Sequence, residues 1–121
     1  MELKDRHHFE RHVPTYAEPI SADDLREGDV YFSVQYADEA LLQPTVETLV
    51  FTGAEKDGEG ATICCFQDLM SYQQGIKRGS PEADCALFYF QPASQLKHIF
   101  GYDCALDELI RCSLRRSKGC V

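Results

Sequence analysis

Between residues 30 and 36 the side chains follow a strict two-residue alternation, which constrains the fold more than any other feature of the chain. The residues at every second position are apolar or aromatic: Val30, Phe32, Val34 and Tyr36. A period of two is typical of a β-strand that packs one face against a core. The alternation therefore predicts a strand and, with it, a sheet.

Three later segments also have the composition of strands. Residues 45–52 are rich in β-branched side chains, and residues 61–67 follow the turn sequence Asp57-Gly58, so these two segments predict a hairpin. Residues 85–91 form another apolar run, and residues 96–100 fit either a strand or a helical turn. Parallel strands need long crossover connections, and only residues 68–83 are long enough for one. The predicted sheet is therefore antiparallel.

Helices are predicted before, within and after these strands. Ser21 is a good N-cap for a short helical turn that ends at Gly28, and residues 68–75 predict a single turn. Asp103 is the predicted cap of a C-terminal helix that ends at Gly119. The predicted apolar stripe of this helix consists of Leu106, Leu109, Ile110 and Leu114.

These elements predict an α+β fold, a small curved antiparallel sheet or SH3-like half-barrel with the C-terminal helix packed on it. Residues 25–36, in which Glu27-Gly28-Asp29 lead into the alternating strand, resemble the start of many SH3-like barrels. Pro14 and Pro19 interrupt the N-terminal region, so residues 1–20 are predicted to be an arm and connector, and residues 21–121 a single globular domain.

The charge distribution indicates which partners suit the chain. Twenty acidic and twelve basic residues give a net charge of −8, and residues 18–68 hold twelve acids but only two bases. Because nucleic-acid binding depends on a basic surface, no nucleic-acid partner is expected, whereas a basic protein or peptide would be attracted. No apolar run reaches the roughly 18 residues of a membrane-spanning helix, and the charged N-terminus lacks a signal-peptide pattern. These observations predict a cytoplasmic protein with no membrane partner.

The six cysteines fit a reducing compartment. Cys64 and Cys65 are adjacent, the others are widely spaced, and there is no C-x-x-C pair. Because neighbouring strand residues point to opposite faces, Cys64 and Cys65 are not expected to act together in redox chemistry.

Two residue sets are weak candidates for chemistry. His8 and His12 have the four-residue spacing that lets two helical side chains share a metal ion, but they provide too few ligands for a closed site. Cys104, in the first turn of the last helix, and His98 could form a thiol–imidazole pair if the fold brought them together. No metal and no other cofactor is predicted.

Aromatic residues in the predicted strands are the candidates for partner binding. Tyr31, Tyr36 and Tyr89 would bind a basic or proline-rich peptide if they were exposed, with Asp38 and Glu39 as an acidic rim. Alternatively, these rings fill the core of a chain that has no tryptophan.

Three hypotheses about function follow. The preferred one is a non-catalytic interaction module that binds a basic protein or peptide, since no catalytic motif is present. The second is a small enzyme or ligand-binding domain with a pocket between the sheet and the C-terminal helix, where His98 and Cys104 would act. The third is a homo-oligomer, such as a homodimer formed through the apolar stripe of the C-terminal helix.

Overall fold

The alternating residues form an interior strand of a five-stranded antiparallel sheet. The computed structural model describes residues 12–14 and 16–119. Its strands are β1 (Val30–Tyr36), β2 (Pro44–Lys56), β3 (Thr62–Asp68), β4 (Phe88–Pro92) and β5 (Ile99–Phe100). Their order across the sheet is β4-β3-β2-β1-β5. The fold is α+β as predicted, but the sheet is open and is not a closed barrel.

Two α-helices and two short 3₁₀ turns complete the described chain. Helix α1 (Leu69–Gln73) follows β3 directly, and helix α2 (Tyr102–Gly119) follows β5. The 3₁₀ turns are Ala22–Asp24, where Ser21 is the N-cap as predicted, and Ala83–Cys85. In the described residues, no helix is long and apolar enough to cross a membrane.

The sheet buries apolar side chains on both faces. The front face carries Tyr31, Leu49, Phe51, Cys64 and Phe66, which pack into one cluster. The back face carries Val34, Phe32 and Phe100, which pack against Ala17 and against Ala105 of α2. Successive side chains of β1 therefore point to two faces that are both buried, whereas the prediction had only one buried face.

Segments outside the strands cover the front face and one edge of the sheet. Residues 93–98 run from β4 to β5, the two edge strands, and Leu96 packs into the front cluster. The Ile20 N–H donates a hydrogen bond to the Ile99 carbonyl at 2.8 Å, while Ala17 is buried on the back face. Residues 17–20, predicted as part of a connector, are therefore packed against the sheet on either side of β5.

Strand β2 is longer than predicted because Gly53 forms a bulge inside it. The register between β2 and β3 shifts between Phe51 and Gly53, and Gly53 has a φ of 138°. The turn is consequently confined to residues 57–61, where the Asp57 carboxylate accepts hydrogen bonds from the Glu59 and Ala61 N–H groups. The predicted hairpin is correct, but its first strand, predicted to end at residue 52, extends to Lys56.

Strand β4 begins later than predicted, because Asp68 fixes the chain before it. The predicted strand at residues 85–91 is observed at Phe88–Pro92, and Cys85 lies in a 3₁₀ turn. The Asp68 carboxylate accepts hydrogen bonds from the Leu87 N–H at 2.8 Å and from the Ser71 N–H at 3.0 Å. Asp68 is therefore the N-cap of α1, as predicted, and also positions the start of β4.

Helix α2 is rotated relative to the prediction. Leu106 and Leu114 are 45% and 52% exposed, whereas Ala105 and Cys112 are buried. Ala105, Leu109 and Cys112 have the spacing of one helix face, and Ala105 and Leu109 pack in the back-face cluster. The predicted stripe was wrong in Leu106 and Leu114, and Asp103 lies inside the first turn because the helix begins at Tyr102.

Candidate functional site

Tyr31 is a core residue. Its side chain is 6% exposed, and its hydroxyl oxygen accepts a hydrogen bond from the Arg26 N–H at 2.8 Å. The same hydroxyl donates to the Asp24 carbonyl at 3.4 Å. Tyr31 thus attaches the segment before β1 to the front face, and its ring is not available on the surface.

Tyr36 belongs to the contact between β1 and α2, and the two acidic residues after it lie in the β1–β2 loop. The Tyr36 hydroxyl donates a hydrogen bond to the Glu108 carboxylate and accepts one from Arg115 at 2.8 Å. The Asp38 carboxylate accepts hydrogen bonds from two N–H groups of its own loop, and Glu39 is exposed in that loop. Burial, followed by the Glu108 interaction, raises the pKa of Tyr36 to about 12.

Tyr89 lies on the front face, apart from Tyr36. Its hydroxyl donates a hydrogen bond to Glu47 Oε2 at 2.5 Å. Burial raises the pKa of Tyr89 to about 12, with the Glu47 contact as the next cause. Tyr89, Glu47, Gln95 and His98 border a small polar cavity of about 40 Å³, which is comparable to the volume of one or two water molecules.

The structure does not bring His98 and Cys104 together. His98 is exposed and borders the front-face cavity. Cys104 packs against the back-face cluster with Val34 and Phe100, so the sheet separates it from His98. A thiol–imidazole pair between these two residues is therefore not assembled.

The predicted metal pair falls partly outside the described structure. His8 lies outside the described residues, and His12 is exposed. Within residues 12–14 and 16–119, no group of three or more His, Cys, Asp or Glu side chains could hold a metal ion.

The five cysteines in the described residues are free thiols. Cys64 is buried in the front cluster, whereas Cys65 borders a pocket on the back face. The two side chains therefore point to opposite faces of the sheet, as predicted for neighbouring residues of a strand. Burial raises the pKa of Cys65 first, and the Glu55 carboxylate raises it further against the lowering effect of Arg78. Cys65 is therefore a protonated thiol at neutral pH.

The back face also holds a pocket that the sequence analysis did not identify. This aromatic pocket has a volume of about 650 Å³. Its apolar walls are formed by Tyr72, Ile76, Phe88 and Phe90. Its charged border is formed by Glu27, Glu55, Lys77 and Arg78. It lies between the sheet and the segment that follows α1, away from the contact between the sheet and α2.

Gln67 holds the segment after α1 over the sheet and so builds one wall of the aromatic pocket. The Gln67 side chain is buried, and its Nε2 donates hydrogen bonds to Ser71 Oγ and to the Ile76 carbonyl, both at 2.8 Å. Gly75, with a φ of 79°, lets the chain turn back directly after the helix. The pocket wall is therefore fixed by the two hydrogen bonds of the buried Gln67 side chain.

The two carboxylates of the pocket differ in their partners. Glu55 Oε2 lies 2.9 Å from Arg78 Nη2, and the Arg78 guanidinium carbon lies 5.1 Å from the centre of the Phe90 ring. Glu27 Oε1 lies 2.9 Å from the position that a Cβ on Gly53 would occupy. Within the described part of the chain, the Glu27 carboxylate has no hydrogen bond and no ion pair.

Part of this pocket has a signal in the sequence. Phe88 and Phe90 alternate with Tyr89, which places the two phenylalanines on one face and the tyrosine on the other. The position of Glu27 has no such signal, because it depends on the bulge at Gly53. Comparison with known proteins gives no match: no family model fits the chain, and no curated protein or solved structure is significantly similar to it.

Proposed function

We propose that this chain is a non-catalytic interaction module that binds a basic segment of a partner protein in the aromatic pocket. The observation that carries the proposal is the Glu27 carboxylate, which has no partner among residues 12–14 and 16–119 and borders a pocket walled by aromatic side chains. A cationic side chain of the partner would neutralise Glu27, and a neighbouring apolar side chain would lie against Phe88 and Phe90.

The size and composition of the pocket support this proposal. Pockets of about 300 to 1,000 Å³ with apolar walls and few polar groups are typical of ligand-binding sites, and this one measures about 650 Å³. Phe90 is 46% exposed, so a bound side chain would remove a large apolar surface from water.

The charge of the whole chain also supports a basic partner. A net charge of −8 attracts cations and speeds their association, and it opposes binding to nucleic acid. Lys77 and Arg78 border the same pocket, but Arg78 is paired with Glu55. The remaining charges of the border are Glu27 and Lys77, so selectivity for a cation would come from the Glu27 side.

We also propose that the sheet is an SH3-like half-barrel and that the protein is cytoplasmic. The strand order, together with residues 93–98 crossing the front face between the two edge strands, supports the half-barrel. The five free thiols of the described residues support a reducing compartment.

The binding proposal can be tested with libraries of short acetylated peptides. Each library has one fixed central residue, either arginine, lysine, norleucine or glutamate, with mixed flanking residues. We expect the purified full chain to retain peptides with a central base and an apolar neighbour. Glu27→Gln should lower the affinity for the tightest-binding peptide by about tenfold, because a charge-assisted contact is lost.

Glu59→Gln is the matched control, because it removes the same charge from an exposed position in the β2–β3 turn. Equal affinities of the two variants would attribute binding to net charge and not to the pocket. Absence of any preference for a central base would refute the proposal.

Self-association is a second candidate function, favoured by the exposed outer face of α2. Tyr102, Leu106 and Leu114 are 67%, 45% and 52% exposed. A dimer formed there should dissociate in Leu106→Glu, and sedimentation over a range of concentrations measures this. A concentration-independent monomer mass of the unmodified chain would exclude it.

A further inference from the structure

One cation already occupies part of the aromatic pocket. Arg78 Nη2 lies 2.9 Å from Glu55 Oε2, and the guanidinium lies over the Phe90 ring at 5.1 Å. A carboxylate and an aromatic face together are the chemistry that recognises a planar guanidinium. The position of Arg78 therefore indicates that this part of the pocket accepts a guanidinium group.

Arg78 lies in an exposed part of the segment that follows α1. Arg78 lies between Gly75 and Gly79, which both have positive φ, at 79° and 85°. Gln67 holds the segment at Ile76, two residues before Arg78. The side chains of Arg78 and Glu55 are 51% and 50% exposed, and ion pairs in such positions are weak. Arg78 can therefore leave Glu55 without disturbing the core.

We infer that Glu55 and Phe90 form a guanidinium subsite of the aromatic pocket, which Arg78 occupies as an intramolecular competitor and which an arginine of the partner takes over on binding. This inference rests on the proposed function, because it names the side chain by which the basic partner is recognised. It adds a second cation position to the one at Glu27.

The subsite distinguishes arginine from lysine. A guanidinium is planar, so it lies flat on the Phe90 ring while two of its N–H groups point towards a carboxylate at the ring edge. An ammonium is compact and strongly hydrated, and it has no flat face to stack. The partner segment should therefore present arginine at this position.

The test uses N-acetyl-arginine methylamide as the probe and follows amide shifts of the isotope-labelled full chain by NMR. If Arg78 fills the subsite for most of the time, only a fraction of the molecules has a vacant subsite. The apparent affinity for the probe is then the intrinsic affinity multiplied by that fraction. We expect Arg78→Ala to bind the probe about three- to tenfold more tightly than the unmodified chain does. The amide signals of Glu55 and Phe90 should shift most.

Lys97→Ala is the matched control, because it removes one positive charge from an exposed position outside the aromatic pocket. It should change the affinity by less than about twofold, since it leaves Arg78 in place. N-acetyl-lysine methylamide should not gain affinity in Arg78→Ala, and Phe90→Leu should remove the preference for the arginine probe.

The outcomes separate this inference from the proposed function. Equal gains in Lys97→Ala and Arg78→Ala would overturn the inference, because they would reflect net charge alone. An unchanged affinity in Arg78→Ala would also overturn it, while selection of basic peptides by the libraries would leave the proposed function standing. A gain confined to Arg78→Ala would support the subsite even if the peptide libraries showed no preference.

Discussion

The phenol of Tyr36, the last residue of β1, donates a hydrogen bond to the Glu108 carboxylate of α2, which lies 72 positions further along the chain. The Arg115 guanidinium donates to the same phenol oxygen at 2.8 Å and lies over the ring, with its central carbon 5.2 Å from the ring centre. These three side chains join an interior strand of the sheet to the last helix. The stability of the contact should therefore depend on the ionisation of Tyr36.

Ionisation of Tyr36 is expected to weaken the fold at alkaline pH. Burial, followed by the Glu108 carboxylate, raises the pKa of Tyr36 from 10.0 to about 12. The folded state therefore favours the neutral phenol, so its contribution to stability is complete below pH 10.0 and is lost as the pH rises through about 12. Urea unfolding of the unmodified chain and of Tyr36→Phe measures this contribution.

Tyr36→Phe should lower the free energy of unfolding by about 1 kcal/mol at neutral pH, because one hydrogen bond is lost. Above pH 10 the difference between the two proteins should shrink. Tyr16→Phe, at a position that is 65% exposed, is the control and should show no such trend. A difference that stays constant to pH 12 would contradict the role of the Tyr36 phenol.

Arg115 is expected to stabilise the loop between β1 and β2 through its fixed geometry and not only through its charge. Its Nε donates to the Leu41 carbonyl at 2.9 Å, while Nη2 donates to Tyr36. We expect Arg115→Ala to lower the free energy of unfolding by about 1 to 2 kcal/mol. Arg115→Lys should lose much of the same amount, because an ammonium cannot reproduce the two directions of the guanidinium.

Lys118→Ala is the control for the loss of a positive charge near the end of the same helix, and Lys118 is exposed. Stability is measured by the midpoint of urea unfolding, provided that the dependence of the unfolding free energy on urea concentration is unchanged. If Arg115→Ala and Lys118→Ala were equally stable, the contacts of Arg115 with Leu41 and Tyr36 would contribute nothing measurable.

Local pattern predicted the elements of this fold better than their orientation. The bounds of β1 followed from the alternation of residues 30–36, because the period of a strand is a property of the backbone. The alternation did not reveal which face is buried, since Tyr31 and Val34 lie on opposite faces and both are core residues. In α2, large exposed leucines indicated the wrong face, because small side chains such as Ala105 contact the sheet.

The aromatic pocket could be predicted only in part, because its geometry depends on distant contacts. The alternation in β4 placed Phe88 and Phe90 on one face. The wall opposite them depends on the Gln67 amide, which reaches nine positions along the chain to the Ile76 carbonyl. The position of Glu27 depends on the conformation of Gly53. A glycine inside a strand pattern can mark a bulge, but the turn sequence Asp57-Gly58 that follows Gly53 favours an end of the strand there.

Gly53 is expected to tolerate no side chain. Its φ of 138° is rarely adopted by other residues, and an added Cβ would lie 2.9 Å from Glu27 Oε1. We expect Gly53→Ala to lower the free energy of unfolding by about 1 to 3 kcal/mol, which is the cost of one residue held in such a conformation. Thermal and urea unfolding would measure the loss.

Gly58→Ala is the control from the same hairpin. A Cβ at Gly58 would meet no atom within 4 Å, and its φ lies outside the left-handed region. This variant should differ from the unmodified chain by less than about 0.5 kcal/mol. Equal losses in the two variants would show that the hairpin, and not the bulge, is sensitive to substitution.

Asp68 is expected to make stability fall in acid. Its carboxylate accepts hydrogen bonds from the Ser71 N–H at 3.0 Å, the Ser71 hydroxyl at 2.6 Å and the Leu87 N–H at 2.8 Å. Burial acts to raise the pKa of Asp68, but the hydrogen bonds from Leu87 and Ser71 outweigh burial and lower it below 3.8. The folded state therefore favours the ionised form, and its contribution is complete above this ordinary value.

This contribution should be lost as the pH falls through the lowered pKa of the folded state. At neutral pH, Asp68→Ala should lower the free energy of unfolding by about 2 kcal/mol, since it removes an N-cap and leaves the Leu87 N–H without its acceptor. Asp68→Asn keeps an oxygen that can cap the helix, so it should lose less and, unlike the unmodified chain, show no Asp68-dependent decline in acid. Asp84→Asn, at an exposed position in the second 3₁₀ turn, is the control. If the acid decline of Asp68→Asn matched that of the unmodified chain, another group would be responsible for it, and the coupling of α1 to β4 would not depend on the charge of Asp68.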